Sequence, residues 1–595
     1  MANSKYEYVK REFEFNRQLP ASNWIVLRID GCHFHRFSEL HAFEKPNDES
    51  ALRLMNACAT SMLRKYNDIV FAYGFSDEYS FVFREETELY NRRESKILSE
   101  CVSYFTSVYT SKWKDFFPNN GFKELPYFDA RVVCYPNMKT VCDYLAWRQV
   151  DCHINNQYNT CFWMLIQSGK TKNEAYQALK GTSSKDKNKL LLQQFQINYN
   201  DESAMFRKGS SVYRDKVTKV KTDDYGNPIK RTRQAIIVSN FDITGPEFWE
   251  KHQYILGKAS DCQYLWGKEK YGYEYVKKFV NIPRSPCSNW TIVRISACQF
   301  DQFSLIHSFD KPNDETALRL MNASASLMME QFPDIIFGYG FNNEYSFVFQ
   351  ENTELYNREE SSIISSCSSC FTSFYIMKWE EYFPSIPLVQ PPHYKAEVLC
   401  CPKPTTVCDY LFRRQSECHN RNQYNTCFWM LVKSGEGENK AKEILKDTLS
   451  KDKNELLFQR FQMNYNNEPA MFRKGSCAYR QKVGEFAEVE ANGDVTRERW
   501  DVAVAHVDMG PDFWRKHPYV FNSFGVRLAS GAIEPSSTAS WQVFVLRRHP
   551  SLPLRLLHHL LRSQISTSAY SFGVCLAVPP ACFYDFLYLY LLLDA

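Results

Sequence analysis

Ile69-Val70-Phe71-Ala72-Tyr73-Gly74-Phe75-Ser76-Asp77-Glu78-Tyr79-Ser80-Phe81-Val82-Phe83 is the stretch from which the fold is read. Two runs rich in aromatic and β-branched residues flank the polar link Ser76-Asp77-Glu78, which predicts a β-hairpin with a tight turn. Upstream, Ile25, Leu27 and Ile29 alternate with Val26 and Arg28, so a strand is predicted to end at Asp30. Between them, Asp48 to Leu63 is opened by Pro46-Asn47-Asp48 and is rich in Ala, Leu and Met, as in a capped helix. Downstream, a helical stretch from about Glu88 to Lys112 leads to a strand from Phe128 to Tyr135. The order strand, helix, strand, strand, helix, strand is a split βαβ arrangement. It implies an α+β, ferredoxin-like fold with an antiparallel sheet and helices on one face.

The whole pattern is written twice. Trp24 to Arg36 reads Trp-Ile-Val-Leu-Arg-Ile-Asp-Gly-Cys-His-Phe-His-Arg, and Trp290 to Gln302 reads Trp-Thr-Ile-Val-Arg-Ile-Ser-Ala-Cys-Gln-Phe-Asp-Gln, an offset of 266 (290 minus 24). Ala51 to Ala57, Asn156 to Leu165 and Met205 to Ser210 return unchanged at the same offset. In a chain of 595 residues with 44% hydrophobic content, so long a period means duplicated domains rather than a short-unit solenoid. With a junction near Tyr264 to Tyr271, the modules are read as 1–264 and 265–520. Residues 521–595 have no counterpart and turn Ser-rich, then Leu/Tyr-rich. Pro579-Pro580 breaks their apolar run, so they are read as an unstructured or incidental tail and no membrane span is expected.

Lys plus Arg number 72 against 68 Asp plus Glu, too small a surplus to argue by itself for nucleic acid. The 20 cysteines are scattered through apolar runs and read as buried thiols of a reducing compartment. Cys367-Ser368-Ser369-Cys370 has no second pair at zinc spacing and is read as a helix-face coincidence.

What distinguishes the copies is acid. Asp30 becomes Ser296 and Asp77 becomes Asn343, while the apolar framework between them survives. Side by side on neighbouring strands, two carboxylates repel unless a cation lies between them, and oxygen ligands favour Mg²⁺ with phosphate. The bland alternative, two solvated turn residues, does not account for their joint loss. Gly31 lets the backbone approach a phosphate or offer its carbonyl to a metal.

Asp30-Gly31-Cys32-His33-Phe34-His35-Arg36-Phe37, Lys45-Pro46-Asn47-Asp48, Ser76-Asp77-Glu78-Tyr79-Ser80-Phe81, His153-Ile154-Asn155-Asn156-Gln157-Tyr158-Asn159-Thr160 and Met205-Phe206-Arg207-Lys208-Gly209 together resemble the tRNA-histidine guanylyltransferases. The resemblance covers the first module and, with decay, the second; the tandem arrangement resembles the plant members. It implies a polymerase-palm fold that adds one guanylate to the 5′ end of histidine tRNA. ATP would adenylylate the 5′ phosphate, the GTP 3′ hydroxyl would displace AMP, and pyrophosphate would then be removed. Carried over, Asp30, the Gly31 carbonyl and Asp77 would hold two Mg²⁺ per active module, with Glu78 beside them as a third catalytic carboxylate. Asp30, Gly31, Cys32, His33, Phe34, His35, Ser76 and Asp77 would contact nucleotide, Cys32 and His33 through backbone. Lys45 is open between a triphosphate contact and a solvated helix flank. His153, Asn155, Asn156, Arg207 and Lys208 would contact tRNA, against the alternative of helix-terminus caps for the first three.

Charge follows the same asymmetry. Met205 to Arg233 holds nine Lys or Arg against three Asp, net +6, whereas Met471 to Arg499 holds six against five acids, net +1. A hairpin around Tyr225-Gly226-Asn227-Pro228 would present the first set as a phosphate-binding ribbon. The second module is read as a non-catalytic partner in the position of a sister subunit. Two rivals remain: a non-catalytic tRNA-binding or regulatory protein, and a nucleotidyl cyclase on the same scaffold. The resemblance implies the nucleus as the compartment, with the cytoplasm as a second.

Overall fold

The computed structural model describes residues 8–9, 17–222, 228–256, 273–279, 289–490, 493–518 and 520. The module junction, the hairpin tip at 223–227 and the tail 521–595 lie outside the described residues.

The first module opens with β1 (Trp24–Gly31), α1 (Phe34–Leu40), α2 (Glu49–Lys65), β2 (Ile69–Phe75), β3 (Glu78–Phe83), α3 (Glu94–Phe116) and β4 (Phe128–Tyr135). It continues with α4 (Met138–Gln167), α5 (Lys172–Leu179), α6 (Ser184–Phe195), α7 (Ala204–Lys208), β5 (Ser210–Thr222), β6 (Pro228–Ser239) and α8 (Pro246–Lys251). The second module repeats the series with β7 (Trp290–Ala297), α9 (Phe300–Ile306), α10 (Glu315–Gln331), β8 (Ile335–Phe341), β9 (Glu344–Phe349), α11 (Glu360–Tyr382) and β10 (Tyr394–Cys401). It ends with α12 (Pro404–Lys433), α13 (Glu438–Leu445), α14 (Ser450–Phe461), α15 (Ala470–Lys474), β11 (Ser476–Glu490), β12 (Gly493–Ala505) and α16 (Pro511–Lys516).

Each module forms one antiparallel sheet, ordered β4-β1-β3-β2-β5-β6 in the first and β10-β7-β9-β8-β11-β12 in the second. The split βαβ core supplies four strands, and the hairpin β5–β6 extends its β2 edge. The Asp48 side chain caps α2 by accepting from the Ala51 amide at 2.9 Å. The helix expected from Glu88 starts at Glu94 instead. Tyr90, Asn91 and Arg92 take positive φ, and the buried Arg92 guanidinium donates to the carbonyls of Glu85, Thr87, Pro20 and Asn23. A charged side chain that satisfies four loop carbonyls outweighs helix propensity there. Arg358 and its neighbours repeat the turn.

Helices cover both faces of the sheet, not one as expected. Ile25, Leu27 and Ile29 pack with Leu54, Met62, Ile97 and Phe105 on the α2–α3 side, whereas Trp24 and Val26 pack with Val141, Leu145, Phe248 and Trp249 on the α4 side. A sheet buried on both faces shows few of the alternating polar residues by which one-sided burial is recognised.

The two modules share one core. Their long helices α3 and α11 meet through hydroxyls: Ser103 with Thr372 and Thr106 with Ser369, each at 2.6 Å. The edge strands are covered reciprocally. Ser369 accepts from the Phe128 amide at 2.8 Å, and Ser103 and Ser99 accept from the Tyr394 and Ala396 amides at 2.7 and 2.9 Å. Backbone donors that would otherwise recruit another strand are thereby satisfied. Cys367 and Cys370 are free thiols buried in this contact.

Beside it, Glu100, Cys298 and His393 bring possible metal-ligand atoms within 4.8 Å of one another. The Lys65 ammonium lies 3.0 Å from His393 Nε2 and takes the imidazole lone pair, so the group is a hydrogen-bonded cluster across the contact. Burial, then the Lys65 charge, pushes the His393 pKa down to about 3. Between that value and the ordinary value near 6.5 the unfolded chain binds the extra proton, so stability falls as pH drops. The loss is expected to reach about 2 kcal/mol near pH 5. Thermal unfolding of the wild type and His393→Asn from pH 7.5 to 5 checks this, with the variant showing the flatter profile.

Candidate active site in the first module

Asp30 ends β1, and Asp77 lies in the turn between β2 and β3. The Gly31 amide donates to the Asp77 carbonyl at 3.1 Å, tying that turn to the end of β1. Ser76 takes a left-handed φ of 51°, and its hydroxyl donates to Asp77 Oδ1 at 3.0 Å. Both aspartates line a cavity of about 780 Å³, together with Phe34, His35, Lys45, Ser76 and Asn155. That is room for a nucleotide.

The electrostatics fit a cation. Burial, and next the Asp30 charge, pushes the Asp77 carboxyl up to about 7. Burial also raises Asp30; Arg28 opposes the shift and the charge of Asp129 adds to it. Two half-buried carboxylates at one cavity, the charge of Asp30 disfavouring the ionisation of Asp77, form an oxygen donor set suited to a hard divalent ion.

The remaining expected residues divide. Lys45 lines the cavity rather than standing as a solvated flank: its ammonium donates to Ser38 Oγ at 2.8 Å and lies 5.7 Å from the Trp163 ring centroid. His35 is exposed at the rim, and Phe34 is mostly core, stacked on Phe37 at 4.8 Å. Gly31, Cys32 and His33 do not line the cavity. Cys32 turns to the second module, with its sulfur 3.9 Å from Ser366 Oγ, and burial pushes its thiol up to about 12. His33 precedes α1 with φ 54°, its ring edge on Tyr127.

Gly31 is required by packing: a Cβ there would lie 2.3 Å from the Phe34 ring. The second copy carries Ala297 at this place, and its Phe300 is less buried than Phe34. Gly31→Ala is expected to destabilise by about 1–3 kcal/mol through this overlap, and chemical denaturation of the two proteins measures it.

Glu78 lines the cavity too, held there in an ion pair. Both its oxygens accept from Arg148, each at 2.7 Å, with the two side chains 9% and 6% exposed. The same pair, Glu344 with Arg414, persists in the second copy where both aspartates are gone. The pair therefore does not depend on the two aspartates for its place. Arg148, which also lies 5.2 Å from the Phe75 ring, was missed in the sequence although the retained Arg414 signalled it.

The His153 to Asn156 motif lies in the middle of α4, not at a helix end. Asn155 is exposed and lines the cavity. Asn156 is buried at the cavity wall, donating to Asn47 Oδ1 at 2.7 Å and accepting from the Tyr199 hydroxyl at 3.0 Å. His153 packs edge-on against Tyr199, its pKa lowered by burial and then by Arg207. Arg207 donates to the Glu202 carbonyl at 2.7 Å, and the Lys208 ammonium is 4.0 Å from Asp242. Strands β5 and β6 pair from Ser211–Ser239 to Thr222–Pro228. Arg214 is withdrawn from that ribbon, its guanidinium donating to the carbonyls of Leu63, Tyr66 and Ile69.

In the second module the Asn343 amide points at the Ala297 carbonyl, 3.5 Å away. A neutral amide thus stands at the position where the first module carries a carboxylate. Arg421 replaces Asn155, its guanidinium 5.9 Å from the Phe341 ring.

The tRNAHis guanylyltransferase family model matches residues 6–136 and again 273–402, and the Thg1 C terminal domain matches residues 139–245 and again 405–509. The chain is 45% identical over 540 residues to tRNA(His) guanylyltransferase 2 of Arabidopsis thaliana, spanning 88% of this chain and 100% of that protein. It is 47% identical over 270 residues to the probable tRNA(His) guanylyltransferase of Mus musculus, 44% of this chain and 90% of that one. The crystal structure of the Saccharomyces cerevisiae enzyme shares 46% identity with a TM-score of 0.34, covering 38% of this chain and 96% of that one. With each family model matched twice along its length, the chain belongs to the tRNAHis guanylyltransferase family as a tandem-duplicated, plant-type member.

Proposed function

We propose that module 1–264 adds a single guanylate to the 5′ end of histidine tRNA, and that module 265–520 is its non-catalytic internal partner. The observation that carries this is the pair Asp30 and Asp77 at one cavity in the first module, replaced by Ser296 and Asn343 in the second.

Asp30, Asp77 and the Gly31 carbonyl would hold two Mg²⁺, which when bound activate the attacking oxygen and steady the leaving pyrophosphate. The chain's own residues do the positioning. Ser76 orients the Asp77 carboxylate by its hydrogen bond. Lys45 sets a fixed positive charge in the cavity, held by Ser38, where the triphosphate of ATP or GTP would lie. Arg148 neutralises Glu78, so that a third acid beside Asp30 adds little repulsion. Asn155, His153, Arg207 and Lys208 face the RNA. In the order the family implies, ATP adenylylates the 5′ phosphate, the GTP 3′ hydroxyl displaces AMP, and pyrophosphate is released.

Incubating the full chain with 5′-phosphorylated histidine tRNA, ATP, GTP and Mg²⁺ tests this. The expected product is one nucleotide longer at its 5′ end. Tight tRNA binding without extension would leave the regulatory reading, and a cyclic nucleotide made without RNA would leave the cyclase.

A further inference from the structure

We propose that Ser365 of the second module, assisted by Ser362, positions the Asp129 carboxylate beside Asp30 and so completes the negative field of the first module's cation site. The inference rests on the functional reading above and names the residues through which one half supports the other.

Asp129 stands opposite Asp30 in the β1–β4 register. Directly opposed side chains share a sheet face with Cβ atoms about 4.5–5.5 Å apart. Strand β4 is the outer edge of its sheet, and α11 covers it. From that helix the Ser365 hydroxyl lies 2.7 Å from both Asp129 Oδ1 and its own Ser361 carbonyl, its one hydrogen shared between them, and Ser362 approaches Oδ2 at 3.3 Å; three apart, the two serines lie on one helix face. Within the first module Arg131 Nε reaches Oδ2 at 3.4 Å, and Arg131 is itself 3.6 Å from Glu359 of the second. The carboxylate is therefore fixed from both modules. Held this way, the carboxylate stays opposite Asp30, its charge partly offset by Arg131, which is itself shared with Glu359.

The reciprocal contact lacks this device. At an offset of 266, Asp129 corresponds to Lys395, Arg131 to Glu397, Ser362 to Lys96 and Ser365 to Ser99. Ser99 meets no carboxylate: its hydroxyl donates to the Ser95 carbonyl of its own helix at 2.6 Å and accepts from the Ala396 amide of β10 at 2.9 Å. Two contacts of common descent thus hold a carboxylate beside the site that keeps its aspartates and a lysine beside the site that lost them.

Direct Mg²⁺ binding to the full chain by calorimetry, and the Mg²⁺ dependence of guanylate addition, test the proposal together. A unit charge several ångströms from a divalent ion in a partly solvated site is worth roughly a tenfold change in affinity. Asp129→Asn is expected to weaken Mg²⁺ binding about tenfold and Ser365→Ala about threefold, with kcat at saturating Mg²⁺ within about twofold of wild type. Ser365→Thr should bind as wild type does, and the double variant should match Asp129→Asn alone, because the serine acts through the aspartate. Ser99→Ala removes an equivalent contact hydroxyl and should leave Mg²⁺ binding unchanged. Should Ser365→Ala not fold, Ser362→Ala reads the same effect at smaller size. Unchanged Mg²⁺ affinity in Ser365→Ala, an equal shift in Ser99→Ala, or additive effects in the double variant would overturn the proposal. Absence of guanylate addition by the wild type would instead overturn the functional reading, while calorimetry still decides the role of Ser365.

Discussion

Asp30→Ala is expected to slow guanylate addition on the order of 10³-fold or more while leaving tRNA affinity within about threefold. Asp30 is half-buried at the end of β1, lines the cavity, and faces a second acid whose carboxyl is pushed up to about 7 in part by its charge. Losing one of the two anionic ligands forfeits about 4 kcal/mol of stabilisation of charge developing on phosphate oxygens, and each 1.36 kcal/mol is tenfold in rate. tRNA affinity is carried elsewhere, by phosphate contacts of exposed basic groups. Single-turnover extension with labelled GTP, beside filter binding of the same tRNA, separates the two quantities. A residual rate within tenfold of wild type would sink the assignment. The protein should remain folded, because removing one of two repelling carboxylates relieves the metal-free state.

The opposite pattern is expected at Arg148. Arg148→Ala leaves Glu78, 7% exposed, without the guanidinium that binds both its oxygens. An uncompensated buried charge costs about 3–5 kcal/mol, enough to unfold a module of ordinary stability. The remaining cation near Glu78 is Arg28, with Nε at 3.9 Å, too far for a hydrogen bond and unable to replace the bidentate pair. Replacing both partners, Glu78→Gln with Arg148→Met, should lie nearer wild type than Arg148→Ala alone, as urea denaturation would show. This comparison decides the role of Glu78. A catalytic acid would make Glu78→Gln fully folded and inactive, whereas a scaffold pair makes its loss a stability defect first.

Much of the architecture was legible because it is local. The hairpin Ile69–Phe83 and the cap at Asp48 depend on residues a few positions apart, and the structure bears them out within a residue or two. The acid pair was legible through duplication: two copies share a framework, so a missing side chain stands out against it. What the sequence hid depends on distant partners. Glu78 and Arg148 are separated by 70 positions, and nothing local tells a clamped glutamate from a free one. Tyr90 to Arg92 read as helix because the carbonyls that Arg92 serves belong to other loops. The serines and threonines of α3 and α11 carry no local sign of their partners. They are buried because each helix supplies hydroxyls to the other and to its edge strand. Cys32, expected to meet nucleotide through its backbone, turns its thiol toward Ser366, a residue whose proximity only the packing of the two halves could reveal.

Because both halves are one polypeptide, the contact between α3 and α11 is encoded twice and each side mutates alone. In a protein that self-associates from a single copy, a lysine gained at the place of Asp129 would appear in every site at once. Here Lys395 and Asp129 coexist. A tether also sets an effective concentration, commonly millimolar for short linkers, so the pairing does not dissolve on dilution. Enzyme at trace abundance therefore meets its substrate already assembled, and its activity should scale linearly with amount down to concentrations at which a separable dimer would fall apart.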